Sequence, residues 1–200
     1  MTKVNFKKKV SILQITDSFL PEVGGKQLVV HHLASDLAKL ETNSYILTNK
    51  KKGYQKKNLS YEVFFYKNVF KKIKIFFNLG SIAYYLIKKE INLIHAHRTI
   101  PAGYHAVLIG KLFKIPVVIT AHGDDVLTVP EIKYGINLNI TSKNQSLYAL
   151  KNADAVIALN EGMKNEIIKL GTKSEKIHTI PIGVNFSTPT KNKKPDQNKI

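Results

Sequence analysis

The chain has 200 residues, of which 44% are hydrophobic, and it is long enough for one globular domain with a sizeable core. It contains no cysteine, which excludes disulfide bonds, thiolate metal sites and cysteine nucleophiles. The net charge is +17, but Arg98 is the only arginine among the 31 basic residues. Sequence-specific DNA readers depend on the planar guanidinium group, so we expect no specific nucleic-acid partner.

The lysine excess has two interpretations. Lysine is either the solvating residue of a proteome rich in Lys, Asn and Ile, or it forms a basic face that binds an anionic partner such as an acidic lipid surface. The sequence leaves both open.

The N-terminal segment does not resemble a targeting signal. Its lysines precede an apolar run of only about six residues, and no small-residue cleavage site follows. Nowhere does the chain approach the ~18 uninterrupted apolar residues that a membrane-spanning helix needs. We therefore expect a cytoplasmic location, with peripheral binding to the inner face of the cell membrane if the basic face is functional.

Short β-branched runs alternate with helical patterns along the chain, which is typical of a parallel sheet covered by helices. Strands are predicted at residues 10–16, 44–48, 61–66, 93–96, 117–121, 155–158 and 176–180. Helices are predicted near residues 26–40, 80–90, 102–113, 142–152 and 161–170. About seven strands fall short of the eight in a barrel, so we expect an α/β fold: a doubly wound, mostly parallel Rossmann-like sheet with helices on both faces.

Two stretches interrupt this alternation. Residues 49–76 carry nine lysines against the single Glu62, interleaved with aromatic side chains that include Phe64, Phe65, Tyr66, Phe70, Phe76 and the adjacent Phe77. Interfacial segments combine lysine with aromatic residues, so this stretch predicts a peripheral membrane-binding surface. Residues 187–200 are polar, contain prolines and lack an apolar period, so they are predicted to be a linker or tail after a domain that spans residues 1–186.

Ligands of a doubly wound sheet bind beyond the carboxyl ends of its strands, which makes the residues after each strand candidates for a site. The first strand is followed by DSFLPEVGG, which leads into a helix. Gly24 and Gly25 would let backbone N–H groups approach a phosphate at the helix N-terminus. A tight turn is the alternative explanation, and the absence of a GxGxxG fingerprint counts against a nicotinamide enzyme.

The fourth predicted strand ends in HAHRTIPAG, which places His95 and His97 on one face and Arg98 at the strand's end. Such a pair binds a metal only if a third ligand converges with it, for example from the loop after the next strand. Core hydrogen bonds are the favoured explanation, so no metal is expected. Arg98 is a candidate for contact with an anionic acceptor or for a structural ion pair.

The fifth predicted strand, PVVITAHGDD, brings His122 to the carboxyl edge of the sheet. A neutral imidazole there could donate a hydrogen bond to a ligand hydroxyl or phosphate, and Asp124 or Asp125 could fix its tautomer. A turn histidine with a helix-capping aspartate is the alternative. After the sixth strand, Asn160 is a predicted helix cap with Glu161 in the first turn, where pure capping and a ligand role are both open.

Taken in order, four segments resemble glycosyltransferase family 4, a family of retaining enzymes with the GT-B fold: ITDSFLPEVGGKQLVVHHLASDLAKL, LIHAHRTIPAGYHAVLIGKLFKIPVVITAHGDDV, LKNADAVIALNEGMKNEI and KIHTIPIGVNF. They lie between residues 9 and 186 and keep the family's order and approximate intervals. The resemblance implies the N-terminal, acceptor-side half of a GT-B fold. The nucleotide would then be held mainly by a C-terminal GT-B domain or subunit that we expect to be absent from this chain.

The resemblance also implies roles for individual residues. Gly24 and Gly25 would approach the diphosphate and sugar of the nucleotide-sugar donor, and His122 would act as the catalytic group against the donor sugar and phosphate. Glu161 is a further donor-side candidate. The acceptor-side candidates are Arg98, Asp124 and Asp125.

The expected reaction moves a sugar from a nucleotide-sugar donor to a hydroxyl acceptor with retention of configuration, as in the synthesis of a cell envelope polysaccharide or glycolipid. No cofactor or metal is expected, and the chain is expected to be inactive alone. The alternative is a non-catalytic subunit of a split glycosyltransferase that binds the acceptor or the membrane.

Overall fold

The fold was analysed in a computed structural model, which describes residues 9–54, 59–67 and 73–183. All the strands of its sheet run parallel, and in chain order they are β1 (Ser11–Ile15), β2 (Asn43–Thr48), β3 (Glu62–Phe65), β4 (Leu93–His97), β5 (Val117–Thr120), β6 (Ala155–Ala158) and β7 (Ile177–Thr179). Their order across the sheet is β3-β2-β1-β4-β5-β6-β7. The chain therefore winds outward from β1 in one direction and from β4 in the other, which confirms the doubly wound α/β fold.

Within the described residues, five α-helices connect the strands: α1 (Gly25–Lys39), α2 (Lys74–Lys88), α3 (Tyr104–Phe113), α4 (Ile140–Asn152) and α5 (Glu161–Lys169). Successive residues of a strand point to opposite faces of the sheet, so two neighbouring residues of β2 show which helix packs on each face. Ile46 packs with Val30 of α1, whereas Leu47 belongs to the larger core cluster that contains Ile82 of α2. Helices thus cover both faces, and the strands are apolar because they are buried from both sides.

Each predicted strand is confirmed, with ends that differ by at most one residue. The largest discrepancy among the helices is α2, which begins at Lys74, six residues before the predicted start. Its first turn exposes Phe76 and Phe77, so its apolar side chains do not mark a buried face there.

The stretch at residues 49–76 is not a single basic aromatic surface. It contains β3, where Phe64 stacks between Tyr45 and Tyr85, and Tyr66, which is buried. Its residues 55–58 and 68–72 lie outside the described residues, as does the predicted tail at 187–200. Among the helices of the described parts of the chain, none has the length and apolarity to cross a lipid bilayer.

Candidate active site

Three loops meet at the carboxyl edge of the sheet, where β1 and β4 lie side by side and the chain winds away in opposite directions. The loop after β1 carries Gly24 and Gly25, the loop after β4 begins with Arg98, and the loop after β5 begins with Ala121 and His122. The glycine pair and His122 therefore share one edge, although they are nearly a hundred residues apart in sequence. This crevice is the usual ligand site of doubly wound sheets.

Of the two glycines, Gly25 borders open space and Gly24 borders the side chain of Gln27. Gly24 has an extended backbone (φ −162°, ψ 171°) that any residue can adopt, and the described atoms nearest to a Cβ atom there belong to the flexible side chain of Gln27. A Cβ atom on Gly25 would meet no described heavy atom within 4 Å. The backbone geometry thus does not require glycine at either position, and no side chain within the described ranges caps the N-terminus of α1. The first N–H groups of the helix are left to face solvent or an anion.

A charged network joins the three loops. Arg98 donates to Asp17 (3.3 Å) and to Asp124 (2.5 Å), and Lys26 of α1 forms an ion pair with Asp17. Burial raises the pKa of Asp17, but the hydrogen bond and charge of Lys26 and the charge of Arg98 outweigh it, so this pKa lies below its ordinary value. Arg98 thus forms structural ion pairs, which is one of the two roles predicted for it from the sequence.

The backbone of Arg98 is strained. Its φ of 90° and ψ of 152° lie in a region that side chains other than glycine rarely occupy. Such strain persists only where surrounding contacts over-determine the conformation, and it is common at functional sites. Here the ion pairs with Asp17 and Asp124 hold the residue in place.

The loop that carries His122 is held by Asp125. One carboxylate oxygen of Asp125 accepts hydrogen bonds from the backbone N–H groups of His122 (2.9 Å) and Gly123 (3.0 Å), and the other accepts from Thr99 N–H (2.8 Å). Gly123 has a φ of +118°, which favours glycine. Asp125 is fully buried, so its carboxylate faces the backbone and not an acceptor in the crevice.

The imidazole of His122 is neutral at pH 7. Burial, and then the positive charges of Lys26 and Arg98, lower its pKa to about 4. Its Nε2 lies 3.3 Å from Nδ1 of His97. The expectation that Asp124 or Asp125 fixes the tautomer does not match this geometry, because the ring's hydrogen-bond partner is a histidine.

The HxH pair is held by core hydrogen bonds. His95 Nε2 lies 2.7 Å from Thr120 Oγ1, and His97 Nε2 lies 3.0 Å from Gln14 Oε1. Among the described residues, no three His, Asp or Glu side chains converge in a way that could hold a metal ion. The third ligand that a metal at this pair would require is not found there.

Glu161 lies at the same sheet edge but in a more exposed position. It begins α5, which Asn160 caps by accepting a hydrogen bond from Met163 N–H (2.8 Å). The Glu161 carboxylate lies 3.8 Å from Lys164 and is 69% exposed, so it is free to reach a ligand.

Several residues of this site escaped the sequence analysis, namely Gln14, Asp17 and Lys26. Gln14 is a fully buried amide between Leu13 and Ile15, and such a residue needs a polar partner. Lys26 directly follows the glycine pair, which is the position where a cation would assist anion binding. Both were signals in the sequence.

Comparison with known proteins gives a consistent result. The sequence model of a family described as Glycosyltransferase Family 4 matches residues 23–188. An uncharacterized glycosyltransferase of Methanocaldococcus jannaschii is 30% identical over 160 residues, which cover 74% of this chain and 40% of the relative. The Bacillus subtilis glycosyltransferase TuaC, whose name assigns it to teichuronic acid biosynthesis, is 30% identical over 96 residues, covering 48% of this chain and 23% of TuaC.

Among solved structures, HepE of Anabaena in complex with UDP and glucose superimposes with a TM-score of 0.66 at 17% identity. The match covers 88% of this chain and 45% of HepE. At this level of identity the similarity concerns the fold. The chain thus spans less than half the length of these relatives.

Proposed function

The chain belongs to glycosyltransferase family 4, and from this premise we propose that it is the acceptor-side half of an enzyme that transfers a sugar from a nucleotide-sugar donor to a hydroxyl group. The observation that carries the proposal is that the neutral His122 and the uncapped N-terminus of α1 share one edge of a doubly wound sheet, at its crevice. In this proposal, residues 1–186 would form the domain, and residues 187–200 would connect it to a nucleotide-binding domain or subunit.

The donor would lie with its diphosphate against the N-terminus of α1. Its leaving group develops negative charge as the glycosidic bond breaks, and helix N–H groups stabilise such charge. Gly24 and Gly25 would admit the phosphates, because a Cβ atom on Gly25 would meet no described atom within 4 Å and the nearest neighbour of Gly24 is the flexible side chain of Gln27. Lys26 adds positive charge, while Glu161 would bind a sugar hydroxyl from the opposite side.

His122 would contact the donor sugar. A neutral imidazole offers one hydrogen-bond donor and one acceptor, and because it is uncharged it does not compete with Lys26 for the diphosphate. In a retaining front-face reaction the acceptor hydroxyl attacks on the side from which the diphosphate leaves, so no protein nucleophile is needed. The role of His122 is then to orient and stabilise the reacting sugar.

The acceptor would enter beside Arg98 and Asp124. Asp124 is 40% exposed on its side chain, which leaves one face of the carboxylate for a hydroxyl group. Asp125 would act indirectly, since its hydrogen bonds set the position of the His122 backbone. HepE was solved with UDP and glucose, and TuaC is named for teichuronic acid biosynthesis, so we propose a nucleotide-hexose donor and a cell envelope glycan as product.

The proposal is tested by joining this chain to the C-terminal part of its M. jannaschii relative. The 200-residue chain alone should show no sugar transfer with any nucleotide sugar, because most donor binding energy resides with the nucleotide. The joined protein should transfer sugar. Turnover by the chain alone, abolished in a His122→Ala variant, would contradict the assignment of donor binding to a second domain.

A membrane-binding role is a second candidate, and α2 favours it. The helix buries one face through Asn78, Ile82 and Leu86. The opposite face exposes a stripe of large apolar side chains at helical spacing, formed by Ile73, Phe76, Phe77, Tyr84 and Ile87. Lysines at positions 74 and 88 adjoin this stripe, and each lysine near an anionic surface contributes ~1 kcal/mol to binding. The domain would then bind the cytoplasmic face of a membrane that carries the acceptor.

Liposome flotation tests the membrane role. The chain should float with vesicles that contain acidic lipid, and a Phe76→Ser/Phe77→Ser double variant should lose that binding. Leu112→Ser is the matched control, because Leu112 is similarly exposed (73%) but lies on α3. Equal binding by the double variant and the control, or no binding by any of them, would contradict the membrane role. Solvation would then be the remaining explanation of the lysine excess.

A further inference from the structure

We infer that Gln14 and His97 fix the tautomer of His122, so that His122 carries its ring proton on Nε2 and presents Nδ1 as a hydrogen-bond acceptor. Both are positioning residues. That the group bound to Nδ1 is a donor-sugar hydroxyl rests on the proposed function. The tautomer itself does not.

The inference begins with a continuous row of polar contacts across three strands and the loop after β5. Gln14 Nε2 donates to Ser44 Oγ at 3.0 Å, and Gln14 Oε1 lies 3.0 Å from His97 Nε2. The other ring nitrogen of His97, Nδ1, lies 3.3 Å from His122 Nε2. The row therefore leads from β2, through β1 and β4, to the open crevice.

The row has a direction, because each hydrogen bond needs one donor and one acceptor. The Gln14 carbonyl oxygen can only accept, so the proton at that contact belongs to His97 Nε2. A neutral His97 then has a bare Nδ1, which can only accept. The proton at the last contact therefore belongs to His122 Nε2, and its Nδ1 is left with a lone pair.

Burial stabilises this arrangement. Gln14 and His97 are 0% and 1% exposed, so water does not compete for their polar atoms. Burial, with the neighbouring imidazoles and Lys26, also lowers the pKa of His97 well below its ordinary value. A doubly protonated His97, which would donate from both nitrogens and reverse the last contact, is thus excluded at neutral pH.

The chemical consequence is a choice of ligand group. Nδ1 of His122 has no hydrogen-bond partner among the described residues. As an acceptor, it can form a hydrogen bond only with a ligand group that carries a proton. A sugar hydroxyl carries one, whereas an ionised phosphate oxygen does not. His122 would therefore select a donor-sugar hydroxyl and leave the phosphates to α1 and Lys26, which reverses the sequence-based expectation that His122 donates.

Long-range nitrogen–proton NMR spectra of the isotope-labelled 200-residue chain report the tautomer of each histidine directly. We expect His97 and His122 each to be protonated on Nε2 alone, with slow exchange of the His122 ring proton with water. A His122→Ala variant assigns the His122 signals. Protonation of His122 on Nδ1 would overturn the inference without any substitution.

Variants then test whether the row sets this tautomer. His97→Phe keeps a ring but removes the acceptor, so a second His122 tautomer should appear and its ring proton should exchange faster. Gln14→Met is close in size but lacks the acceptor, so it should no longer hold the ring proton of His97 on Nε2. His122 should then also populate a second tautomer. His95→Phe is the matched control, because His95 lies on the same strand face but bonds Thr120 and not His122.

Identical His122 populations in the wild type, His97→Phe and Gln14→Met would overturn the inference. Backbone spectra verify that each variant is folded, and if His97→Phe unfolds the chain, the wild type and Gln14→Met decide the outcome. Because the readout needs no substrate, a correct tautomer with an inactive joined enzyme would count against the proposed function alone.

Discussion

At the scale of single residues, Gly25 is a position where a need of the fold for glycine can be distinguished from a need of the ligand for open space. Its backbone needs no glycine, and an added methyl group would contact no described atom within 4 Å. Gly25→Ala should therefore leave the melting temperature of the chain unchanged or raise it slightly, since alanine is the better helix former by up to about 1 kcal/mol.

The same substitution should weaken donor use. In the joined enzyme, we expect Gly25→Ala to raise KM for the nucleotide sugar by about tenfold, equivalent to ~1.4 kcal/mol, because the methyl group enters the space proposed for the diphosphate. Steady-state kinetics with varied donor measure this. An unchanged KM in a stable variant would remove the glycine pair from the donor site.

At the scale of elements, the packing of α3 on β5 depends on Gly110. A Cβ atom there would lie 2.4 Å from Val117 Cγ2 and 2.8 Å from the Ile115 carbonyl oxygen. Gly110→Ala should lower the free energy of unfolding by about 1–3 kcal/mol through overpacking. Urea denaturation measures the change.

Gly80 is the matched control for that substitution. It also lies inside a helix, but an added Cβ atom would meet nothing within 4 Å. Gly80→Ala should raise stability by up to about 1 kcal/mol. Equal effects of the two substitutions would mean that α3 does not pack on β5 as described.

The sequence predicted the strands well for a physical reason. Central parallel strands are buried on both faces, so β4 to β6 appear as short apolar runs between helical segments. The start of α2 was missed because Phe76 and Phe77 face outward, and a surface apolar stripe does not follow the rule that apolar side chains mark the core.

The candidate site was predictable only in part. Topology alone places Gly24, Gly25 and His122 at one edge, because the strands of the described sheet are parallel. The contact between Gln14 and His97, which are 83 residues apart, depends on the register of β1 against β4. Spacing along the chain carries no information about that register, so the partner of His122 was misassigned to the adjacent aspartates.

At the scale of the whole molecule, buried histidines link stability to pH. Burial, as the largest cause in each case, lowers the pKa of His95, His105 and His122 from the ordinary 6.5 to about 4. These groups are neutral in the folded chain but gain protons below pH 6.5 when it unfolds. Their contribution to stability is therefore complete above pH 6.5 and is lost as the pH falls towards 4.

Each such histidine changes the free energy of unfolding by up to ~1.4 kcal/mol per pH unit within that window. We expect the urea midpoint of the chain to fall clearly between pH 7 and pH 5. A folded His105→Gln variant should show a shallower decline, because one of the groups is gone. The same midpoint at both pH values would show that these imidazoles are not held neutral by the fold.

The central claim is that the crevice at the carboxyl edge of the sheet holds the donor sugar against His122. The most direct measurement is kcat/KM of the joined enzyme with and without His122→Ala, with His32→Ala on the exposed side of α1 as the matched histidine control. Loss of one group that stabilises the transition state typically costs about 10²-fold or more, and this is the result we predict for His122→Ala alone. A loss below about threefold, no greater than that of the control, would contradict the claim and make His122 a turn residue.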